Sequence, residues 1–252
     1  MRLTIKHYFD FQEQSTQIGK RLDNSLSWDI LRVESGAGSE FFIPADRLSW
    51  EKKCLQNEKL KTHAEDIVRI IQHQKFQRVN SFGVGAAFLE YWIKRKLPGI
   101  FLQCSDYTPK AIDRLKTIFT EADEIISFDM LKDPWSNDGF SCLYLFYRID
   151  TAFDDQQWKD IFANLSKHQI KNILFVPGEF LTIQRFLRQK IKLLLYTMLL
   201  KKNTFAGYLR NKEQMETLFS ENYEIRKTAR IGDITGYLLM LKENRYEPHI
   251  QP

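Results

Sequence analysis

The stretch Val79-Asn80-Ser81-Phe82-Gly83-Val84-Gly85-Ala86-Ala87 decides the fold of this 252-residue chain. A strand-like run over residues 78–82 predicts a β-strand, and a helical pattern begins near Ala86. Gly83 suits a tight turn out of the strand, and Gly85 lets the backbone approach a ligand without a Cβ in the way. A glycine pair alone would also fit a turn that merely needs positive φ, so the surrounding pattern must decide between the two.

Strand-like and helical segments alternate along the chain on both sides of this stretch. Apolar residues from Leu55 to Ile71 recur at helical spacing, and another helix is predicted over residues 109–119. The other predicted strands cover residues 100–105, 124–128, 140–147, 171–176, 223–230 and 236–241. This alternation predicts an α/β, Rossmann-like fold with a mostly parallel sheet of about seven strands and helices on both faces.

Composition excludes several classes of protein. Hydrophobic residues make up 43% of the chain, and 37 basic against 32 acidic side chains give a net charge of +5. That excess is small for a dedicated nucleic-acid binder, so no nucleic-acid partner is expected. The five histidines have no metal-ligand spacing, and no metal is expected.

The cysteines and the apolar segments predict a cytoplasmic location. Cys54, Cys104 and Cys142 form no close pair, which favours buried thiols over disulfides. Residues 1–8 lack the apolar core of a secretory signal, and the apolar run over residues 191–200 is too short to span a bilayer.

Two aspartates follow successive strands after the glycine loop. Asp106 ends the second strand, where nucleoside-binding folds place the carboxylate that accepts ribose hydroxyls, and Asp129 ends the third. Either aspartate alone could be a helix N-cap or a turn residue. Together with the glycine loop, they predict a nucleoside site at the carboxyl edge of the sheet.

The runs at residues 79–87, 104–111 and 128–130 resemble the first three cofactor motifs of class I S-adenosylmethionine-dependent methyltransferases, and the resemblance extends from about residue 60 to residue 243. It implies S-adenosylmethionine as cofactor and an antiparallel final strand. It also implies a methyltransferase domain over residues 61–252, which leaves residues 1–60 as an N-terminal cap or extension.

The same resemblance implies roles for particular residues. Gly83 and Gly85 would line the methionine part of the cofactor. Asp106 would hold the ribose, and Asp129 with Met130 would flank the adenine. The implied cofactor-binding set is Ser81, Phe82, Gly83, Gly85, Asp106, Tyr107, Asp129 and Met130.

Three positions in the loop distinguish this chain from related patterns. The methyltransferase family usually has an acidic residue where Ser81 stands and a glycine where Ala87 stands. A nicotinamide or flavin site would instead want a glycine at position 88, for close helix packing beside a pyrophosphate. Phe88 stands there, which favours a cofactor without pyrophosphate.

Candidate catalytic residues follow the fourth and fifth predicted strands. Methyl transfer needs a general base only if the nucleophile must lose a proton. Asp150 is the preferred base, Tyr147 a wall or hydrogen-bond donor, and Glu179 a further candidate. Each could equally be an ordinary loop or core residue.

The sequence therefore predicts an enzyme that methylates a small molecule or a glycan. An RNA or protein methyltransferase and a non-catalytic relative of the fold are the alternatives. The basic, apolar segment over residues 180–202 bears on this choice. It predicts an amphipathic helix that could cover the acceptor site, dock on an anionic surface such as a membrane, or simply pack on the sheet.

Overall fold

The computed structural model describes residues 5–9, 28, 30–34, 41–198 and 204–243. Its strands are β1 (Ile5–Phe9), β2 (Arg78–Phe82), β3 (Phe101–Asp106), β4 (Glu124–Ser127), β5 (Cys142–Tyr147), β6 (Asn172–Val176), β7 (Thr204–Leu209), β8 (Tyr223–Ile231) and β9 (Ile234–Leu241). Its helices are a π-helical segment (Ile30–Glu34), α1 (Arg47–Gln56), α2 (Glu58–Gln74), α3 (Phe88–Lys96), α4 (Pro109–Ile118), α5 (Asp155–Lys167), α6 (Ile183–Met198) and α7 (Lys212–Phe219).

Seven of the strands form the central sheet, in the order β4-β3-β2-β5-β6-β9-β8. The pairs from β4 to β6 are parallel, and β9 is antiparallel to both β6 and β8. The predicted Rossmann-like fold and its antiparallel final strand are confirmed. Because the strand order reverses beside β2, the carboxyl end of β2 is the crevice where such sheets bind ligands.

Side chains alternate between the two faces of the sheet and build a hydrophobic core on each. Leu143 and Leu145 of β5 join the core beneath α2 and α3, whereas Tyr144 and Phe146 join an aromatic core beneath α5 and α7. Trp50 of α1 is fully buried in the first core. The predicted boundary near residue 60 stays a prediction.

The helix predicted around residues 55–71 and the predicted state of the cysteines can both be compared with the structure. The predicted helix from residue 55 to 71 is two helices, because the Asn57 side chain accepts the Leu60 N–H at 3.1 Å and begins α2 anew. The three cysteines are free and buried, as predicted.

A second, two-stranded sheet joins β1 to β7 in antiparallel register. The sequence pattern did not predict it, since its two strands lie almost two hundred residues apart. α6 confirms the predicted amphipathic helix as far as Met198, and residues 199–202 lie outside the described part of the chain. None of the helices described is both long and apolar enough to cross a membrane.

Candidate cofactor site

The loop after β2 turns sharply at the switch point of the sheet. Gly83 and Gly85 have φ of +68° and +59°, in the left-handed region that favours glycine. A Cβ on Gly83 would lie 2.6 Å from Cγ2 of Ile149, so the loop packs directly on the segment that follows β5. The loop therefore tolerates no side chain at position 83 and brings β2 close to the candidate base at Asp150.

Asp106, at the end of β3, is buried, and its carboxylate accepts several hydrogen bonds. Oδ2 accepts the Gly85 N–H at 3.1 Å, which ties the glycine loop to this carboxylate. Oδ1 accepts from the Thr108 N–H at 3.1 Å, from the Thr108 hydroxyl at 2.7 Å and from the Arg32 guanidinium. Since a carboxylate has about four acceptor sites, these four contacts use its full capacity.

Arg32 reaches this carboxylate from the N-terminal segment. Its side chain is largely buried, Nη1 also donates to the Thr108 hydroxyl at 2.7 Å, and the guanidinium lies 5.2 Å from the centre of the Trp28 ring. Its backbone carbonyl accepts the Ile43 N–H at 2.8 Å. A Cβ on Gly85 would come within 3.8 Å of the other guanidinium nitrogen. The N-terminal segment thus sets a cation directly against the predicted ribose carboxylate.

An acidic group stands beside Ser81, although it comes from a helix and not from the strand. The Ser81 hydroxyl donates to Oε1 of Glu90, on α3, at 2.7 Å. Burial raises the pKa of Glu90 to about 7, and the nearby charge of Asp106 acts in the same direction. Glu90 thus places a carboxyl group beside Ser81, from a position nine residues later in the sequence.

Ala87 adopts a left-handed backbone conformation, which glycine favours. Its φ is +55°, and it precedes α3 without a side-chain cap. Its N–H donates to the Val84 carbonyl at 2.8 Å, which closes the turn. An alanine in the left-handed region is strained, because its Cβ approaches the following carbonyl oxygen.

The remaining residues of the predicted cofactor set differ in their exposure. Asp129 is half-buried, and its Oδ1 accepts the Leu131 N–H at 3.0 Å. Met130 is buried, and Tyr107 is half-buried after β3. The Phe82 ring lies in the aromatic core, 4.9 Å from the Trp135 ring and 5.2 Å from the Phe146 ring. Only the backbone of Phe82 is therefore placed to face a ligand.

Asp150 is a buried carboxyl group beyond the end of β5. Its Oδ1 accepts the Gly178 N–H at 2.7 Å, from the loop after β6, whereas Oδ2 is buried and has no hydrogen-bond partner among the described residues. Burial raises the pKa of Asp150 to about 6. An unpaired buried carboxylate oxygen is energetically unfavourable, so Oδ2 is an acceptor that lacks its donor.

Buried contacts hold the backbone around Asp150. The Asp150 carbonyl accepts from the Trp158 indole at 3.0 Å and from Arg210 at 2.6 Å. Arg210 is fully buried and also donates to Asp155 and to the Phe153 carbonyl, both at 2.6 Å. The Tyr208 N–H of β7 donates to the Thr151 carbonyl at 2.9 Å. The second sheet is therefore hydrogen-bonded to the segment that carries Asp150.

Tyr147 belongs to a polar cluster that the sequence did not reveal. Its hydroxyl lies 2.7 Å from Nδ1 of His63, and Nε2 of His63 lies 3.0 Å from a carboxylate oxygen of Asp233. An ionised Asp233 can only accept a hydrogen bond, so Nε2 carries the proton and donates it in this bond, and Nδ1 accepts from the Tyr147 hydroxyl. Burial lowers the pKa of His63, which keeps the ring neutral. Tyr147 is thereby anchored by its hydroxyl.

The structure thus brings together the glycine loop, Asp106 and the segment around Asp150 at one edge of the sheet. Glu179, the further candidate base, is exposed and pairs with Arg185. Arg32, Glu90, His63 and Asp233 are candidate site residues that sequence analysis missed. Among the described residues, no three His, Cys, Asp or Glu side chains are grouped so that they could hold a metal ion.

Neither a family model nor a curated protein sequence matches the chain. The backbone is similar to that of human N-acetylserotonin methyltransferase in complex with SAM, with a TM-score of 0.57 and 20% identity over 90% of this chain and 61% of that one. It is also similar to the pyocyanin biosynthetic protein PhzM, with a TM-score of 0.54 and 17% identity over 79% of this chain and 62% of that one.

A third similar structure is that of the mitomycin 7-O-methyltransferase MmcR, with a TM-score of 0.54 and 14% identity over 72% of this chain and 54% of that one. The alignments thus span between 54% and 62% of the length of these three proteins. The sheet order and these likenesses show that the chain has the fold of the class I S-adenosylmethionine-dependent methyltransferases, as its motifs implied.

Proposed function

We propose that the protein is an S-adenosylmethionine-dependent methyltransferase acting on a small molecule with a hydroxyl group. The observation that carries the proposal is the hydrogen bond from the Gly85 N–H to Asp106 at the switch point of the sheet. It joins the two motif elements, the glycine loop and the ribose carboxylate, at the edge where this fold binds ligands.

The described residues fit an adenosyl cofactor on one condition. Gly83 and Gly85 leave the loop backbone open to a close approach, and Asp106 and Asp129 stand at successive strand ends. Two ribose hydroxyls need acceptor sites on Asp106, where Arg32, Gly85 and Thr108 now donate four hydrogen bonds. Cofactor binding therefore requires Arg32 to withdraw, and the N-terminal segment that carries Arg32 would move with it.

Bound S-adenosylmethionine would supply a methyl group already activated for transfer. The protein then needs to orient the acceptor, exclude water and accept a proton. Asp150 suits the last role, because its Oδ2 lacks a donor and its pKa of about 6 leaves it ionised at neutral pH. Tyr147, held by His63, would act as a fixed wall beside it.

Two features support a small acceptor. Asp150 is buried and the segment that carries it is hydrogen-bonded to β7, which favours a small acceptor over a folded macromolecule. The similar structures include enzymes named for small-molecule methylation, such as N-acetylserotonin methyltransferase and mitomycin 7-O-methyltransferase. A glycan acceptor remains within the proposal, and RNA or protein methylation remains the alternative.

The test is formation of S-adenosylhomocysteine from S-adenosylmethionine in the presence of a panel of hydroxylated aromatic and sugar compounds. We expect acceptor-dependent product from the wild-type chain and little from Asp106→Ala. Asp113→Ala, which removes an exposed carboxylate from neighbouring α4, is the matched control and should stay active. If neither the wild-type chain nor Arg32→Ala binds either form of the cofactor, the proposal is wrong.

A further inference from the structure

α6 exposes an apolar surface that the rest of the described structure leaves uncovered. Six of the twelve exposed large hydrophobic side chains among the described residues lie on this one helix. Their exposed fractions run from 51% for Leu195 to 72% for Met198. We call these six side chains the outward face of α6: Ile183, Leu187, Ile191, Leu194, Leu195 and Met198. Single exposed apolar residues are ordinary, but a contiguous group of this kind marks an interaction surface.

Helical spacing gathers the outward face into one stripe. Apart from the adjacent Leu194 and Leu195, its members recur at intervals of three or four residues, and together they cover roughly a third of the circumference of the helix. The 16 residues of α6 make the stripe about 24 Å long. Phe186 lies on the other side of the helix and packs against Leu181 and Leu209, so the stripe is directed away from the body of the protein.

Basic side chains border the stripe. Arg188 and Lys190 are exposed and lie next to its two edges in the helical projection, and Arg185 is exposed near the start of the helix. The sequence of α6, IQRFLRQKIKLLLYTM, contains four basic residues and no acidic one. Arg185 pairs with Glu179 at the start of the helix, whereas Arg188 and Lys190 have no acidic partner on α6. The helix therefore combines an exposed apolar stripe with an excess of positive charge, the composition of helices that lie in a bilayer interface.

The charge and the attachment of α6 limit what can cover the outward face. A second copy of the chain would bring two sets of like charges together without an acidic partner on either helix. An acidic protein that wraps around a basic helix needs access to all of its sides, and the side of α6 that carries Phe186 is packed against Leu181 and Leu209. A planar anionic surface needs only the outward side, accepts the apolar residues and supplies the counter-charge.

We propose that the outward face of α6 docks the protein on anionic lipid bilayers. The apolar side chains would enter the boundary between headgroups and acyl chains, while Arg188 and Lys190 contact anionic headgroups. The docking would be peripheral and reversible, and it requires neither cofactor nor acceptor. Membrane docking can therefore be tested independently of the proposed methyl transfer.

The test is co-sedimentation of the full chain with vesicles of phosphatidylcholine alone or of phosphatidylcholine mixed with phosphatidylserine. We expect binding to the mixed vesicles, at least tenfold weaker binding to phosphatidylcholine alone, and weakening by salt. The variant that carries both Leu187→Ser and Leu194→Ser should lose at least tenfold in binding. Leu48→Ser, which changes a leucine on α1 that is more exposed than either of these, is the control and should bind as the wild type does.

A second variant keeps the test sharp if the serine variant folds poorly. Arg188→Gln with Lys190→Gln leaves the stripe intact and should reduce binding to the mixed vesicles and its salt dependence. Equal binding by the wild-type chain and the folded serine variant would overturn the proposal. So would a dimer in light scattering that the serine variant dissociates, without vesicle binding. Salt-sensitive binding to single-stranded RNA or polyglutamate, in place of vesicles, would do the same.

Discussion

The Arg32 guanidinium forms a buried ion pair with the Asp106 carboxylate across 74 residues of sequence. Both groups also bond to the Thr108 hydroxyl, so the three side chains form one network at the end of β3. Asp106 is the residue that the sequence motif implies for the ribose. The same carboxylate thus has two competing partners, an internal cation and the expected cofactor.

Arg32→Ala should tighten the binding of S-adenosylhomocysteine by about tenfold. The substitution removes the internal competitor, and the affinity then no longer includes the free energy of displacing it. Calorimetric titration of the wild-type chain and the variant measures the change. Arg69→Ala, which removes an exposed arginine from α2, should leave the affinity unchanged. Weaker binding to Arg32→Ala would instead make Arg32 part of the cofactor site.

Ala87→Gly should stabilise the fold by about 0.5 to 1 kcal/mol. Ala87 has a φ of +55°, and a glycine would remove the clash of its Cβ. Part of this gain in stability is lost again, because glycine loses more backbone entropy on folding than alanine does. Urea unfolding measures the difference. Ala86→Gly, at a neighbour without positive φ, is the control and should not stabilise. Equal stability changes at both positions would contradict the strain at Ala87.

Asp150→Asn should lower the rate of methyl transfer by about a hundredfold or more and leave the affinity for the cofactor nearly unchanged. The wild-type rate should rise with pH through about 6, because Asp150 accepts a proton only when it is ionised. The remaining rate of the Asp150→Asn variant should not show this rise with pH. A fully active variant would remove Asp150 from the mechanism, and attention would pass to Tyr147.

The stability of the same variant provides an independent check. The pKa of Asp150 is raised from 3.8 to about 6 in the fold, so the folded chain binds this proton more tightly than the unfolded chain. Ionising Asp150 is therefore less favourable in the folded chain than in the unfolded chain. The free energy of unfolding falls for this reason as pH rises from 3.8 through about 6. Asp150→Asn should thus be more stable than the wild type at neutral pH, by about 1 to 3 kcal/mol.

His63→Gln should reduce the loss of stability on acidification. Burial lowers the pKa of His63 below its ordinary 6.5, so the unfolded chain binds this proton more readily than the folded chain. The contribution of neutral His63 is then complete above pH 6.5 and is lost as pH falls below that value. Urea unfolding at neutral pH and at a pH of about 5 compares the two chains. Parallel losses would show that His63 is not titrating in this way.

The sequence predicted the parts of the site that depend on local pattern. Periodicity located β2, β3 and β5, and parallel strands necessarily bring their carboxyl ends to one edge. Gly83, Asp106 and Asp150 could therefore be expected near one another before any coordinates were known. The boundaries differ by a few residues because a single side chain, such as Asn57 before α2, decides where a helix begins.

The remaining site residues could not be found in this way. Tyr147 meets His63 across 84 residues, and His63 meets Asp233 across 170, with no local pattern to link them. Glu90 reads as an ordinary helix residue until α3 packs over Ser81. β1 and β7 pair from opposite ends of the chain, and such pairing is set by tertiary packing and not by local propensity.

The central claim is that the adenosyl cofactor binds at the glycine loop with its ribose on Asp106, and calorimetric titration with S-adenosylhomocysteine tests it most directly. We predict that the wild-type chain binds and that Asp106→Ala loses about 1.5 to 3 kcal/mol of binding free energy, the value of a hydrogen bond to a charged group. Asp113→Ala should bind as the wild type does. Equal affinity of Asp106→Ala and the wild-type chain would contradict the claim.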